Sequence, residues 1–191
     1  MHKTLIGLIL VVFLSAASPH QNRLDHALQR VFKLPEAKML LAEIEKEGPV
    51  SFELIEDHEA SKFGAFWDLE DRVIAVNPSF HKDEGSMIGS ILFEMQNAKR
   101  SKEFHALFEK AEAGQIDKES YVRAVEYIEY TNSKAASSMA DMGIQQGLFP
   151  WTAGLPTYKN FEEHYYWQHY GGHSQQIGLM YDRIAPRARR A

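Results

Sequence analysis

The fold is decided by residues 83–98, which read Asp83-Glu-Gly-Ser-Met-Ile-Gly-Ser-Ile-Leu-Phe-Glu-Met-Gln-Asn-Ala98. Asp83 and Ser86 are residue types that cap the start of a helix. One face then carries apolar residues at the spacing i, i+3, i+4, i+7; they are Ile88, Ile91, Leu92, Met95 and Ala98. A second stripe is formed by Ser90, Phe93, Asn97 and Phe104. The stretch therefore predicts a central helix that is buried on two sides.

The residues before this helix predict two short helices and a small sheet. Apolar spacing between Asn22 and Glu47 indicates a helix on either side of Pro35, and Gly48-Pro49 ends the second one. Alternating apolar and polar residues predict a strand over residues 50–54. Residues 63–67 and 72–76 are aromatic and β-branched, so the polar residues between them predict the turn of a hairpin.

The residues after the central helix predict further helices. A helical stretch with a break near Ser101 ends at Gly114, and Asp117 caps a longer helix. Asn160 caps a final aromatic-rich helix, which Gly171-Gly172 kinks or divides. The longer helix has one apolar stripe at steps of four and three; it consists of Tyr121, Val125, Ile128, Asn132, Ala135, Met139 and Met142. The predicted fold class is α+β and mainly α, a helical domain with a small β-hairpin or edge sheet before the central helix pair.

The first 17 residues have the layout of a secretory signal peptide. Met1-His2-Lys3 supplies a positive start, and residues 5–14 form an apolar run that is too short to span a bilayer. Small residues precede Pro19 and predict cleavage after Ala17. Residues 18–191 are then expected to be a single secreted or periplasmic domain without a stable membrane span, in which residues 183–191 form a basic tail.

The composition argues against several classes of protein. The chain has no cysteine, so it has neither a disulfide framework nor a cysteine nucleophile. Its formal net charge of −5 argues against a nucleic-acid-binding protein. It contains neither the G-x-S-x-G motif of serine hydrolases nor a glycine-rich phosphate loop, and no cofactor is expected.

The order of hairpin strand, Asn-Pro turn and two-faced helix resembles that of the zincin metallopeptidases. In zincins an edge strand precedes a buried helix with the motif H-E-x-x-H, whose histidines bind zinc and whose glutamate activates water. The matching residues here are Phe93-Glu-Met-Gln-Asn97, so the glutamate is retained and both histidines are absent. The resemblance covers residues 64–144. As in the glutamate-type zincins (gluzincins), the resemblance implies a third ligand position on the helix after Asp117. Glu129 is better placed for it than Glu126, because Glu126 points away from the apolar stripe.

Four polar residues lie on or beside the helix faces that are expected to be buried: Glu94, Asn97, Glu129 and Asn132. They predict either a structural hydrogen-bond network or a functional pocket, in which Glu94 is the candidate catalytic residue. If both carboxylates share one confined space, at least one of them should have a raised pKa. We expect no stoichiometric zinc at the Glu94 helix, because Phe93 cannot bind a metal and the amide oxygen of Asn97 is rarely a zinc ligand.

The last helix contains three histidines within ten residues, His164, His169 and His173. His169 and His173 are one turn apart and are the candidate metal ligands of this helix. Exposed or aromatic-packed histidines are the alternative, and Gly171-Gly172 leaves the relative direction of the two rings open. The neighbouring aromatic residues predict either a carbohydrate- or peptide-binding surface or a wall of the core; they are Tyr158, Phe161, Tyr165, Tyr166, Trp167 and Tyr170.

Three functions are compatible with this sequence. The absence of both zinc-binding histidines favours a secreted, non-catalytic zincin-like domain that binds a protein or peptide partner. One alternative is a hydrolase with an altered site in which Glu94 is the general base. The other is a secreted helical structural or effector protein without a pocket.

Overall fold

The computed structural model describes residues 18–55 and 63–185. The predicted signal peptide, residues 1–17, lies outside the described residues, as do residues 186–191 of the predicted basic tail. The α-helices of the described part are α1 (Pro19–Val31), α2 (Pro35–Ile44), α3 (Glu84–Lys99), α4 (Ser101–Glu112), α5 (Lys118–Gln145), α6 (Phe161–Gly171) and α7 (His173–Ile184). The strands are β1 (Ser51–Leu54), β2 (Ala65–Asp68) and β3 (Val73–Val76).

The three strands form one small sheet in the order β1-β3-β2. β2 and β3 are the predicted hairpin and pair in antiparallel, while β1 pairs with β3 in parallel. The carboxylate of Asp68 accepts hydrogen bonds from the backbone N–H groups of Glu70 and Asp71, which stabilises the turn. Arg72 completes the turn with a φ of 56°. Because β2 lies at an end of the sheet, one of its edges is not paired with a strand of the described chain.

α3 is the central helix, and its Ile88 face is buried as predicted. The prediction of a second buried face is wrong for Ser90, Phe93 and Phe104, which are only partly buried because they line a cavity; Asn97 of this stripe is buried. Asp83 caps α3 by accepting a hydrogen bond from the N–H of Ser86. The Ile88 stripe is inaccessible to solvent, and Glu94 and Asn97 are also buried. α1, α2, β2, β3 and α5 all pack against α3. α3 therefore holds polar side chains inside the molecule.

The predicted breaks between helices are confirmed. Pro35 occupies the first turn of α2, and Arg100 separates α3 from α4. Gly172 separates α6 from α7 and has a φ of 90°, a conformation that glycine adopts at little cost. α7 therefore starts as a separate helix at His173.

The predicted apolar stripe of α5 is wrong at one position. Ala135 is exposed, and Ala136 is buried in its place. A straight α-helix has 3.6 residues per turn, so a stripe written with a repeat of 3.5 drifts around the helix as it lengthens. Over the 28 residues of α5 this drift moves the buried face by one residue.

The apolar residues form two clusters. The larger cluster contains α1, α2, the sheet, α3 and the C-terminal half of α5. The smaller cluster contains α4, the N-terminal half of α5 and α7. The architecture confirms a mainly helical α+β fold. Among the described residues, no helix has the length and apolar character needed to cross a membrane.

Candidate functional site

A cavity of ≈ 580 Å³, partly open to solvent, lies between β2, α3, α4, α5 and α7. Its wall includes seven aromatic rings, those of Phe63, Phe66, Trp67, Phe93, Phe104, Phe108 and Tyr121. One side carries Glu94, Asn97, Glu129 and His173, which we call the polar wall. The cavity thus combines a large apolar surface with a few convergent polar groups, which is typical of ligand-binding sites.

Three of the four predicted polar residues form one hydrogen-bonded chain between α3 and α5. Asn97 Nδ2 donates to Glu94 Oε2 over 2.8 Å. Asn132 Nδ2 donates to Asn97 Oδ1, also over 2.8 Å. The one-turn spacing of Glu94 and Asn97 brings their side chains together on α3, and the apolar stripe of α5 directs Asn132 at the same point. The amide of Asn97 is therefore fixed in orientation.

The backbone N–H of Trp67 on β2 is also close enough to Glu94 to lower its pKa. Burial raises the pKa of Glu94 to about 7, against the opposing effects of its hydrogen bond with Asn97, of the Trp67 N–H and of the nearby charge of His173. A carboxyl group with such a pKa exchanges a proton near neutral pH, as a general acid or base must.

Glu126 is the site residue that the sequence did not indicate. Its side chain is completely buried, on a face of α5 that α6 and α7 cover rather than α3. Its carboxylate accepts hydrogen bonds from His164 Nε2 over 3.1 Å, from His173 Nδ1 over 3.2 Å and from Ser174 Oγ over 2.6 Å. Burial alone raises the pKa of Glu126, but these three hydrogen bonds outweigh it and lower the pKa to about 2. Glu126 is therefore ionised at neutral pH.

Glu129 lies one turn further along α5 and faces the cavity, with 15% of its side chain exposed. Its Oε2 lies 3.5 Å from His173 Nδ1. Burial raises the pKa of Glu129 to about 8; the charge of His173 opposes this increase, and repulsion by Glu126 and Glu94 adds to it. Glu129 belongs to the same polar wall as Glu94, but its contact is with His173 rather than with Asn97 or Asn132.

The ring of His173 contacts both Glu126 and Glu129. Burial lowers its pKa, but the hydrogen bond with Glu126 and the charges of Glu129, Glu126 and Glu94 outweigh burial and raise the pKa to about 9. The imidazole is therefore mostly protonated at neutral pH when no other cation is bound.

The two histidines that were predicted as a metal pair point in different directions. His169 is exposed near the end of α6, whereas His173 follows the turn at Gly172 and reaches the cavity. His164 is buried among the rings of Tyr130, Tyr158 and Phe161, in agreement with the aromatic-packed alternative. The aromatic residues of this region form two sets. Tyr158 and Phe161 pack against His164, whereas Tyr166, Trp167 and Tyr170 are exposed.

Phe93 and Asn97, the residues on either side of Glu94 in the Phe93–Asn97 stretch, offer the cavity no metal-binding imidazole. Phe93 contributes a phenyl ring and Asn97 a carboxamide that is already held by two hydrogen bonds. Groups that suit a metal lie instead on α5 and α7, where Glu126, Glu129 and His173 each place a ligand atom within 4.8 Å of the others.

Comparison of the chain with protein-family models, curated proteins and solved structures found no match in any of the three.

Proposed function

We propose that the chain is a secreted, zincin-like domain that binds an extended segment of a protein or peptide in the cavity along β2, and that it carries no zinc on α3. The observation that carries this proposal is the position of the outer edge of β2. That edge borders a cavity with aromatic walls, so a bound segment has both backbone partners and space for its side chains.

The register of the hairpin identifies the backbone groups that face outward. The N–H of Asn77 donates to the carbonyl of Gly64, so Ala65 and Trp67 occupy the positions of β2 that do not bond to β3. Their backbone groups point away from the sheet. An unpaired edge of this kind accepts an additional strand, and backbone hydrogen bonds then supply affinity without fixing the ligand sequence.

The side chains of the cavity favour a segment with large apolar residues. Its volume lies within the range of roughly 300–1,000 Å³ that is usual for ligand pockets. The polar wall adds acceptors for a donor group on the ligand. These features support a binding role over a structural or effector protein without a pocket.

A hydrolase with an altered site is the second candidate. Glu94 lies in the cavity, and its pKa of about 7 suits a general base. Incubating the secreted protein with a pool of defined peptides and analysing the pool by mass spectrometry tests this reading. Cleavage that disappears in Glu94→Gln would favour the hydrolase over the binding domain.

The binding proposal is tested with a phage-displayed library of random peptides, selected on the secreted protein. We expect selected peptides to lose at least about tenfold in affinity for Ala65→Pro, which removes the outward N–H of β2. Proline is tolerated at such a position because the Ala65 N–H is not part of the β2–β3 ladder.

The matched control is Tyr166→Ala, because Tyr166 is exposed on α6 and does not line the cavity. Thermal melts establish that both variants are folded. The proposal is contradicted if no peptide is enriched, if the selected peptides bind Ala65→Pro as tightly as the parent, or if Tyr166→Ala weakens binding as much as Ala65→Pro does.

A further inference from the structure

The atoms of Glu126, Glu129 and His173 have the spacing of metal ligands. His173 Nδ1 lies 3.2 Å from Glu126 Oε1 and 3.5 Å from Glu129 Oε2. Neighbouring ligand atoms around one zinc ion, each about 2.0–2.2 Å from the metal, lie roughly 3.0–3.6 Å apart. Both of these distances fall in this range, and the third, between the carboxylate oxygens of Glu126 and Glu129, is no more than 4.8 Å. Rotation of the side chains would be needed to close all three groups around one ion.

The charges around this cluster favour a bound cation. Glu94 lies near enough to act electrostatically on both Glu129 and His173, so three carboxylates surround one imidazole. Among residues 18–55 and 63–185, the ion pairs of these carboxylates are with His164 and His173, and none is with lysine or arginine. Buried carboxylates are costly unless a cation or several donors compensate them.

The surroundings hold the cluster in place and leave one side open. His164 and Ser174 bind the carboxylate of Glu126 from the interior, which fixes its direction as outer hydrogen bonds do in metal sites. Glu129 and His173 line the cavity, so an ion between them is within reach of solvent and of a bound ligand.

We propose that Glu126, Glu129 and His173 bind one divalent transition-metal ion, with Zn²⁺ as the expected occupant. One imidazole and two carboxylates form a donor set that such ions accept. The site lies on α5 and α7, away from the α3 positions that carry the histidines in zincins. It does not depend on the binding of a peptide, and its test uses none.

The test is calorimetric titration of the secreted protein with ZnCl₂ after removal of metal by EDTA and buffer exchange. We expect one Zn²⁺ per chain, with affinity at least about tenfold lower in His173→Gln and in Glu129→Gln. His169→Gln is the matched control, since His169 is an exposed histidine four residues before His173, at the end of α6, and this variant should bind zinc like the parent. Glu94→Gln should retain one zinc per chain, because Glu94 is not a ligand of this site.

Circular dichroism shows whether each variant is folded, and titration with Co²⁺ gives a second readout, the visible absorption of the bound ion. A visible spectrum that changes in His173→Gln and not in His169→Gln supports the site. The proposal is overturned if the parent binds Zn²⁺ with a Kd weaker than about 100 μM. It is also overturned if His173→Gln and His169→Gln bind equally well, or if Glu94→Gln alone abolishes binding.

Discussion

At the scale of single residues, two glutamates one turn apart on α5 differ in protonation state at neutral pH: one is ionised and the other is mostly protonated. Glu126 receives three hydrogen bonds and stays ionised, with a pKa of about 2. Glu129 has one contact with His173 and two acidic neighbours, and its pKa is about 8. Neighbouring donors, rather than burial alone, therefore decide which carboxyl group carries the charge.

The same substitution at these two positions should have different effects on stability. We expect Glu126→Gln to lower the free energy of unfolding by about 3–5 kcal/mol, because it removes the charged acceptor of a buried network. Glu129→Gln should stay within about 0.5 kcal/mol of the parent or be more stable, because the amide replaces a carboxyl group that is mostly protonated at pH 7. Urea unfolding at pH 7 in EDTA measures both. Equal losses for the two variants would contradict the assigned charge states.

At the scale of elements, the packing of α5 is set by one small residue near its end. Gly143 is buried, and a Cβ atom placed there would lie 2.1 Å from Cδ2 of Phe149. Phe149 belongs to the larger apolar cluster and is itself buried. The close approach of its ring to the backbone of α5 therefore requires glycine, although glycine is a poor helix former.

We expect Gly143→Ala to destabilise the protein by about 1–3 kcal/mol, because the gain in helix propensity is smaller than the cost of displacing Phe149. Gly171→Ala is the control, since Gly171 is also helical and a Cβ atom there meets no atom within 4 Å. It should leave stability unchanged or slightly raised. Thermal melts compare the variants, and a stabilised Gly143→Ala would show that the ring moves aside at little cost.

At the scale of the whole molecule, five titratable groups from four helices meet at the polar wall and the Glu126 network behind it. They are Glu94 on α3, Glu126 and Glu129 on α5, His164 on α6 and His173 on α7. Three of them, Glu94, Glu129 and His173, have pKa values above the ordinary 4.5 of Glu or 6.5 of His, so they bind protons more tightly in the folded protein. The stability of the domain is therefore linked to pH through one small region.

The direction of this dependence follows from the pKa values. Because Glu94, Glu129 and His173 have raised pKa values, these three groups hold more protons in the folded state than in the unfolded state between about pH 4.5 and 9, and their contribution to stability falls as the pH rises through this window. Glu126 has a lowered pKa, so its contribution is lost as the pH falls from 4.5 towards 2.

We therefore expect the metal-free protein to be most stable near pH 5 and to lose at least about 3 kcal/mol by pH 9. Urea unfolding in EDTA at pH 3, 5, 7 and 9 measures the profile. Glu129→Gln should flatten it between pH 5 and 8. A maximum at pH 8 in the parent would contradict the assigned pKa shifts.

Most elements of the fold could be predicted because each depends on local sequence. Pro35 and Gly172 mark helix boundaries by their backbone geometry, and the apolar spacing of α3 identifies its buried faces. Glu94 and Asn97 were predicted as site candidates because they interrupt a face that is otherwise apolar.

Glu126 could not be predicted in the same way. It lies away from the stripe that packs on α3, and the partners that keep it buried come from α6 and α7, some 40 residues along the chain. Only the docking of these two helices brings them together, and the direction of His173 depends on the turn at Gly172. The available signal was the pair Glu126 and Glu129 at helical spacing, together with His164 and His173 on either side of a glycine pair.

The backbone N–H of Trp67 is close enough to the Glu94 carboxylate to lower its pKa, so an internal acceptor lies near the place where the carbonyl of an added strand would bind β2. One amide hydrogen makes one strong bond at a time, so a visiting backbone must either displace the carboxylate or begin its pairing at Ala65. Displacement would release Glu94 from one of the donors that favour its charge. A strand that paired with β2 at Trp67 would therefore change the proton affinity of Glu94.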